Sequence, residues 1–273
     1  MARTARDHRG GGGVSLKFND RAHRYWIDGK PAPGVTSILS KGLPKPALVY
    51  WSARTVAEHV AADPGAVVEM VERMGERATV AALKEIPWQK RDDAAVRGTD
   101  VHAIAEEVIH GRAVEVPAHL VDHVDGYVRF LDAFDVQPLH TEVPVGSRSG
   151  WYAGKFDAIA TFGRGKYAGR TALLDWKTSS GIYGETALQT AAYACAEFMA
   201  PEPDDERPLP ALDLTGVVHI TADGSRLHVL GDGREPIDRA YQMFRHIAWT
   251  AARLDWLKGL VGDPIPEPET ADV

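Results

Sequence analysis

One cysteine in 273 residues, Cys195, excludes an internal disulfide, a four-cysteine zinc site and a cysteine-ligated iron–sulfur cluster within one chain. Long apolar runs are also missing: none approaches the ~18 residues of a membrane span, so no membrane partner is expected. Positive charge is not in excess. The 31 Lys and Arg stand against 38 Asp and Glu, for a net charge of −7, so bulk charge does not point to nucleic acid. A local basic patch would still serve for such contacts, and a metal site needs carboxylates. The first residues, Met1-Ala-Arg-Thr-Ala-Arg, are basic but lead into Gly10–Gly13 and not into an apolar signal core. The expected compartment is the cytoplasm. What is present is ordinary for a globular chain, with 44% apolar and 25% charged residues. A chain of this size buries roughly 70–75% of its unfolded surface.

The pattern along the chain divides it into a flexible basic arm (1–13), an N-terminal hairpin and helical region (14–92), a core (93–262) and an acidic, proline-broken tail (263–273). Val14–Ile27 alternates around Asn19-Asp20 and predicts a β-hairpin. Residues 46–111 carry helical spacing broken at Asp63-Pro64-Gly65 and Gly75. A helix is expected over Ala118–Phe134, then strands over Leu139–Val145, Trp151–Phe162 and Thr171–Lys177. A helix over Glu185–Met199 follows, then a second hairpin, Gly216–Thr221 and Arg226–Leu230, around Asp223-Gly224. A last helix is expected over about Ile237–Leu260. This order predicts an α/β fold, a mixed sheet with helices on its faces and a mainly helical N-terminal region. Pro201–Pro208 reads as a surface loop.

Leu173-Leu-Asp175-Trp176-Lys177 is the informative segment. Strand alternation puts Asp175 and Lys177 on one face, Leu174 and Trp176 on the other. An apolar strand that presents a carboxylate and an ammonium together is unusual, because burying either alone is costly. Asp157, in Gly154-Lys-Phe-Asp157-Ala-Ile-Ala, is another acid inside an apolar run. If the two strands pair, Asp157 and Asp175 converge, and two hard oxygen ligands suit Mg2+ or Mn2+. Taken by itself, the Asp-x-Lys triplet is better explained by an edge-strand salt bridge of Asp175 or Asp157 with Lys177. His102 lies at the edge of the stripe Val101, Ile104, Ala105 and Val108, as a metal ligand or as a satisfied core histidine. Glu106, one turn on, and Glu142, in the first strand, are each either an outer support of the site or a solvated acid. Gln189 and Tyr193 share a face of an alanine-rich helix, fit to bind a backbone or a phosphate, or to pack as a hydrogen-bonded pair.

Taken together, His102, Gly154-x-x-Asp157, Asp175-x-Lys177 and Gln189-x-x-x-Tyr193, in that order and spacing, resemble the PD-(D/E)XK nuclease superfamily. The likeness is to its RecB-like branch of phage exonucleases and CRISPR-associated RecB-like exonucleases, and covers about residues 95–195. Gly34-Val-Thr-Ser-Ile-Leu and the helices after it look like the N-terminal part of phage members. The CRISPR-associated relatives usually carry a four-cysteine iron–sulfur site that this chain cannot supply, which favours the cluster-free phage type.

The resemblance implies a restriction-endonuclease-like core and Mg2+- or Mn2+-dependent hydrolysis of DNA, with no iron–sulfur cluster. It implies an exonuclease acting on linear DNA in recombination, repair or end resection. The implied partners are DNA and a recombination or annealing protein, in the host cytoplasm if the chain is phage-encoded. Asp157, Asp175 and Lys177 would be catalytic. Metal ligands would be His102, Asp157, Asp175 and the backbone carbonyl of Trp176, and Gln189, Tyr193 and Arg97 would hold nucleic acid. Arg164, Lys166 and Arg170 are further candidates for phosphate contacts. Two other readings remain: a non-catalytic DNA-end-binding or recombination partner on the same fold, and a carboxylate-pair glycosidase. Lys177 argues against the second, since a nearby cation disfavours the protonated acid it needs.

Overall fold

The structure, a computed structural model, describes residues 16–19, 22–203 and 205–266. The basic arm, part of the first hairpin turn and the end of the acidic tail lie outside these. The chain begins with a small antiparallel sheet, β1 (Leu16–Asn19), β2 (Arg24–Ile27) and β3 (Lys30–Ala32). Helices α1 (Val35–Gly42), α2 (Pro46–Ala62), α3 (Pro64–Met74) and α4 (Glu76–Ile109) follow, and α5 (Val121–Phe134) comes after a short 3-10 turn. Then come β4 (Val136–Ser147), β5 (Tyr152–Phe162), β6 (Thr171–Lys177), α6 (Glu185–Ala194), β7 (Phe198–Met199), β8 (Leu214–Thr221) and β9 (Gly224–Asp232). The described chain closes with α7 (Arg234–Ala251) and α8 (Leu254–Lys258).

The main sheet has six strands in the order β7-β4-β5-β6-β8-β9. β4, β5 and β6 form an antiparallel meander, and α6 carries the chain across so that β8 lies parallel to β6. Both faces of the central strands are covered, which is why β6 reads as a nearly continuous apolar run. On one face, Leu173, Phe156 and Ile159 pack with α1, α6 and α7 through Val35, Leu188 and Phe244. On the other, Leu174, Trp176 and Ala158 pack with α4 and α5 through Val101, Ile104 and Tyr127. Each such aliphatic side chain, fully buried, contributes about 1.5–3 kcal/mol. The α4 stripe expected from sequence is therefore the one that fastens His102 over the sheet.

Several boundaries differ from the sequence reading. The helix expected to reach Met199 stops at Ala194, because Phe198–Met199 leaves to pair with Val145 and Gly146 of β4. At Gly146 an added Cβ would stand 2.7 Å from the Phe198 ring, so the glycine makes room for that strand. The last helix is two, α7 and α8, and the N-terminal hairpin gains a third strand. α4 runs for 34 residues straight through the expected division at 92/93.

Candidate metal and phosphate site

The site forms where β5 and β6 part. Their register ends at Ala158 opposite Leu174, two residues short of the end of the buried run in β6. Beyond that point the Trp176 N–H donates to Asp157 Oδ2 at 2.6 Å, so a side-chain carboxylate takes the place of a strand carbonyl. The strand faces also change phase there. Phe156 packs on the α6–α7 side, whereas Ala158 joins the α4–α5 side.

β4 brings Glu142 to the same place, between the registered pairs Thr141–Ala158 and Val143–Phe156. Its φ of +53° is left-handed, a costly backbone for a residue with a long side chain and a frequent mark of a functional position. From α4 the imidazole Nδ1 of His102 lies 3.7 Å from Asp157 Oδ1, and its ring meets the Trp176 indole edge-on at 5.8 Å. The main chain of Trp176 lies beside the imidazole. One ligand-capable atom each from His102, Glu142 and Asp157 falls within 4.8 Å of the others.

Asp175 is buried and serves differently. Its Oδ2 is in close ion contact with Lys177 Nζ, and its Oδ1 accepts from Gln189 Nε2 at 2.9 Å. Gln189 also donates to the Tyr193 hydroxyl at 3.3 Å. Tyr193 in turn packs on Gly154, where a Cβ would stand 2.3 Å from the ring. Two of the sequence motifs, Gly154-x-x-Asp157 and Gln189-x-x-x-Tyr193, are thus in direct contact. Among the described residues the ligand-capable group is His102, Glu142 and Asp157, without Asp175.

Burial, then the charge of Asp175, pushes the Asp157 carboxyl well above the ordinary range. Burial lowers the His102 imidazole, more than Asp175 raises it, so the ring is held neutral with a lone pair to give. For Lys177 burial works downward, but Asp175 and Asp157 outweigh it and keep the ammonium charged. Tyr193 is raised by burial and by Asp175, and stays a phenol.

Arg97 is exposed on α4, on the wall of a cleft of about 340 Å³ that also takes in His102, Trp176 and Lys177. Glu106 is half-buried one turn along and its charge bears on Arg112; it is not in the ligand-capable group. The loop cations are in the wrong place. Arg170 sits at the far end of the β5–β6 hairpin, about 17–23 Å along β6 from Asp175 and Lys177 at ~3.3 Å per residue, and Arg164 and Lys166 lie beyond it in the turn. There Arg170 pairs with Asp232, and Lys166 bonds to Tyr167. Lys155 went unnoticed in the sequence, although it stands two residues before Asp157. It is in close ion contact with Glu142 and lies 5.4 Å from the centre of the Phe18 ring. Because the strand changes phase at Asp157, simple alternation does not reveal it.

No protein-family model matches the chain, and no curated protein does. Among solved structures, the crystal structure of SSO0001 is similar over 69% of this chain and 70% of that one, at 14% identity and a TM-score of 0.33. That likeness is too slight to bear on fold or function.

Proposed function

We propose that the chain is a metal-dependent deoxyribonuclease with a PD-(D/E)XK-type core, hydrolysing phosphodiester bonds of linear DNA. The observation that carries the reading is the cluster of His102, Glu142 and Asp157 within 4.8 Å, beside a lysine held charged by Asp175. The donor set fits Mg2+ or Mn2+: two carboxylates and one neutral imidazole, on backbone fixed by a buried sheet. The raised Asp157 carboxyl fits as well, since it marks negative charge that the protein leaves without enough compensation.

His102, Glu142 and Asp157 would hold the ion, with the Trp176 carbonyl beside them. When bound, such an ion neutralises charge on phosphoryl oxygens and lowers the pKa of a water. Asp157 is fixed for this by the Trp176 N–H, and His102 by its contacts with Trp176. Asp175 acts as the anchor of Lys177 and is itself anchored by Gln189. Lys177, kept protonated, donates to the attacking water or to a phosphate oxygen and does not accept a proton. Tyr193 stays a phenol against Gly154 and bears on DNA through Gln189. Arg97, on the wall of the cleft, is available for a phosphate. Exonucleolytic action on ends, and work alongside a recombination or annealing protein, follow from the sequence resemblance and belong to the same proposal.

The test is cleavage of labelled linear duplex, its single strand and closed circular DNA, each with Mg2+ and with Mn2+. Linear substrates are expected to be degraded, and Asp157→Ala and Lys177→Ala to lose at least ~100-fold in rate. Metal-independent cleavage, or full activity in both variants, overturns the reading.

A further inference from the structure

Beyond the site, the register of the main sheet lines up a row of basic side chains. Lys177 of β6 is the partner of His219 in β8, and His219 is the partner of Arg226 in β9. The residues just before or after them, Trp176, Val218 and Leu227, pack into the α4–α5 core. Lys177, His219 and Arg226 therefore share the opposite face, the one on which Asp175 meets Gln189. His228, two residues past Arg226, joins the same face, its ring centre 5.8 Å from that of His219.

The row runs from the site to the outer strand of the sheet, about 10 Å across two strand spacings. Its outer members are open: Arg226 and His228 are exposed, and His219 is half-buried. Among the described residues no carboxylate pairs with Arg226, whereas Arg170, Arg148 and Arg234 each have one. In a chain of net charge −7, Arg226 is thus an exposed positive charge without an acidic partner, in line with the site. His219 also holds the loop after β6. Its Nε2–H donates to the Ser179 carbonyl at 2.7 Å, and Ser179 lines the cleft beside Lys177.

We propose that Arg226 and His228, reached from Lys177 by way of His219, bind the phosphate backbone of one DNA strand leading into the site. A single row of basic side chains whose outer members reach solvent suits one backbone and reads no bases. The proposal rests on the nuclease reading for its direction, but its test does not need cleavage.

Binding of a labelled oligothymidylate to the full chain, with Ca2+ in place of Mg2+, is measured by fluorescence anisotropy across a salt series. Arg226→Glu is expected to weaken binding roughly five- to tenfold and to reduce the slope of log affinity against log salt by about 0.7. His228→Glu should act in the same direction. Arg164→Glu, at the far end of the sheet, should bind as the unaltered chain does. Should Arg226→Glu fail to fold, Arg226→Gln still removes the charge, and its thermal midpoint is checked first. Unaltered affinity in the Arg226 and His228 variants, an equal loss in Arg164→Glu, or no binding by the unaltered chain overturns the track. DNA that binds through Arg226 but is not cleaved with Mg2+ supports the track and counts against the nuclease reading alone.

Discussion

Asp157 is asked to do two opposing things: it replaces a strand carbonyl for the Trp176 N–H, and it carries a charge in a buried place. Its carboxyl is raised, so the fold favours the protonated form. The stability this gives is complete below the unfolded value, about 3.9, and is lost as pH rises through the raised one. At neutral pH this carboxyl therefore counts against the stability of the metal-free protein. Asp157→Asn keeps an oxygen for Trp176 and removes the charge. Metal-free, at pH 7, it should be more stable by at least ~1 kcal/mol, roughly 2–4 °C in thermal midpoint, with the gain shrinking towards pH 4. An equal or lower midpoint at pH 7 would mean that the carboxylate is already compensated. Asp175 and Lys177 behave as a pair. Lys177→Met leaves Asp175 buried without its cation and should cost about 3 kcal/mol. The double variant with Asp175→Asn should recover at least half of that in urea unfolding, and simple additivity would deny the coupling. Most of these residues were legible one by one, because acids inside apolar strands stand out. Glu142 was not legible as more than an outer support, since nothing in Leu139-His-Thr-Glu-Val announces a left-handed backbone facing Asp157.

The elements follow from patterning where burial is two-sided or strictly periodic. β6 matches its expected range, Thr171–Lys177, because apolar residues on both faces leave no other register. Elements that depend on a distant partner were not legible. α6 ends early because β4 offers an edge to Phe198, a contact that helical spacing at 195–199 cannot reveal. The reason for Gly154 was equally hidden, since the Tyr193 ring that needs the space lies 39 positions away on α6. Gly154→Ala should therefore push Tyr193 off its seat and with it Gln189 and Asp175. Overpacking of this kind costs about 1–3 kcal/mol, to be read from urea unfolding, with a matching loss of divalent-dependent cleavage. Gly181→Ala, where a Cβ meets nothing within 4 Å, is the control and should stay within about 0.5 kcal/mol of the unaltered chain. If both substitutions cost the same, the close fit of Gly154 to Tyr193 is not what holds the pair.

At the scale of the whole molecule, the net charge of −7 is an average over unlike regions. It averages an inward-facing cluster of acids with a basic row on the sheet face, and only the register separates the two. If the proposed site holds a divalent ion, the same architecture should make the protein's stability answer to it. His102, Glu142 and Asp157 come from α4, β4 and β5, so an ion held among them ties a helix of one layer to two strands of the sheet. An ion that binds the folded chain and not the unfolded one adds about 2.7 kcal/mol at a hundredfold excess over its dissociation constant. In a chain of this size that raises the midpoint by roughly 5–10 °C. The ion must displace a proton from the raised Asp157 carboxyl and meet a neutral His102, so the gain should be larger at pH 8 than at pH 5. Differential scanning calorimetry with Mg2+ and with Mn2+ at both pH values measures it, with His102→Ala and Glu142→Gln expected to lose most of the increment. An increment independent of pH, or kept in full by both variants, would place the bound ion elsewhere on this acidic surface and not between α4 and the sheet.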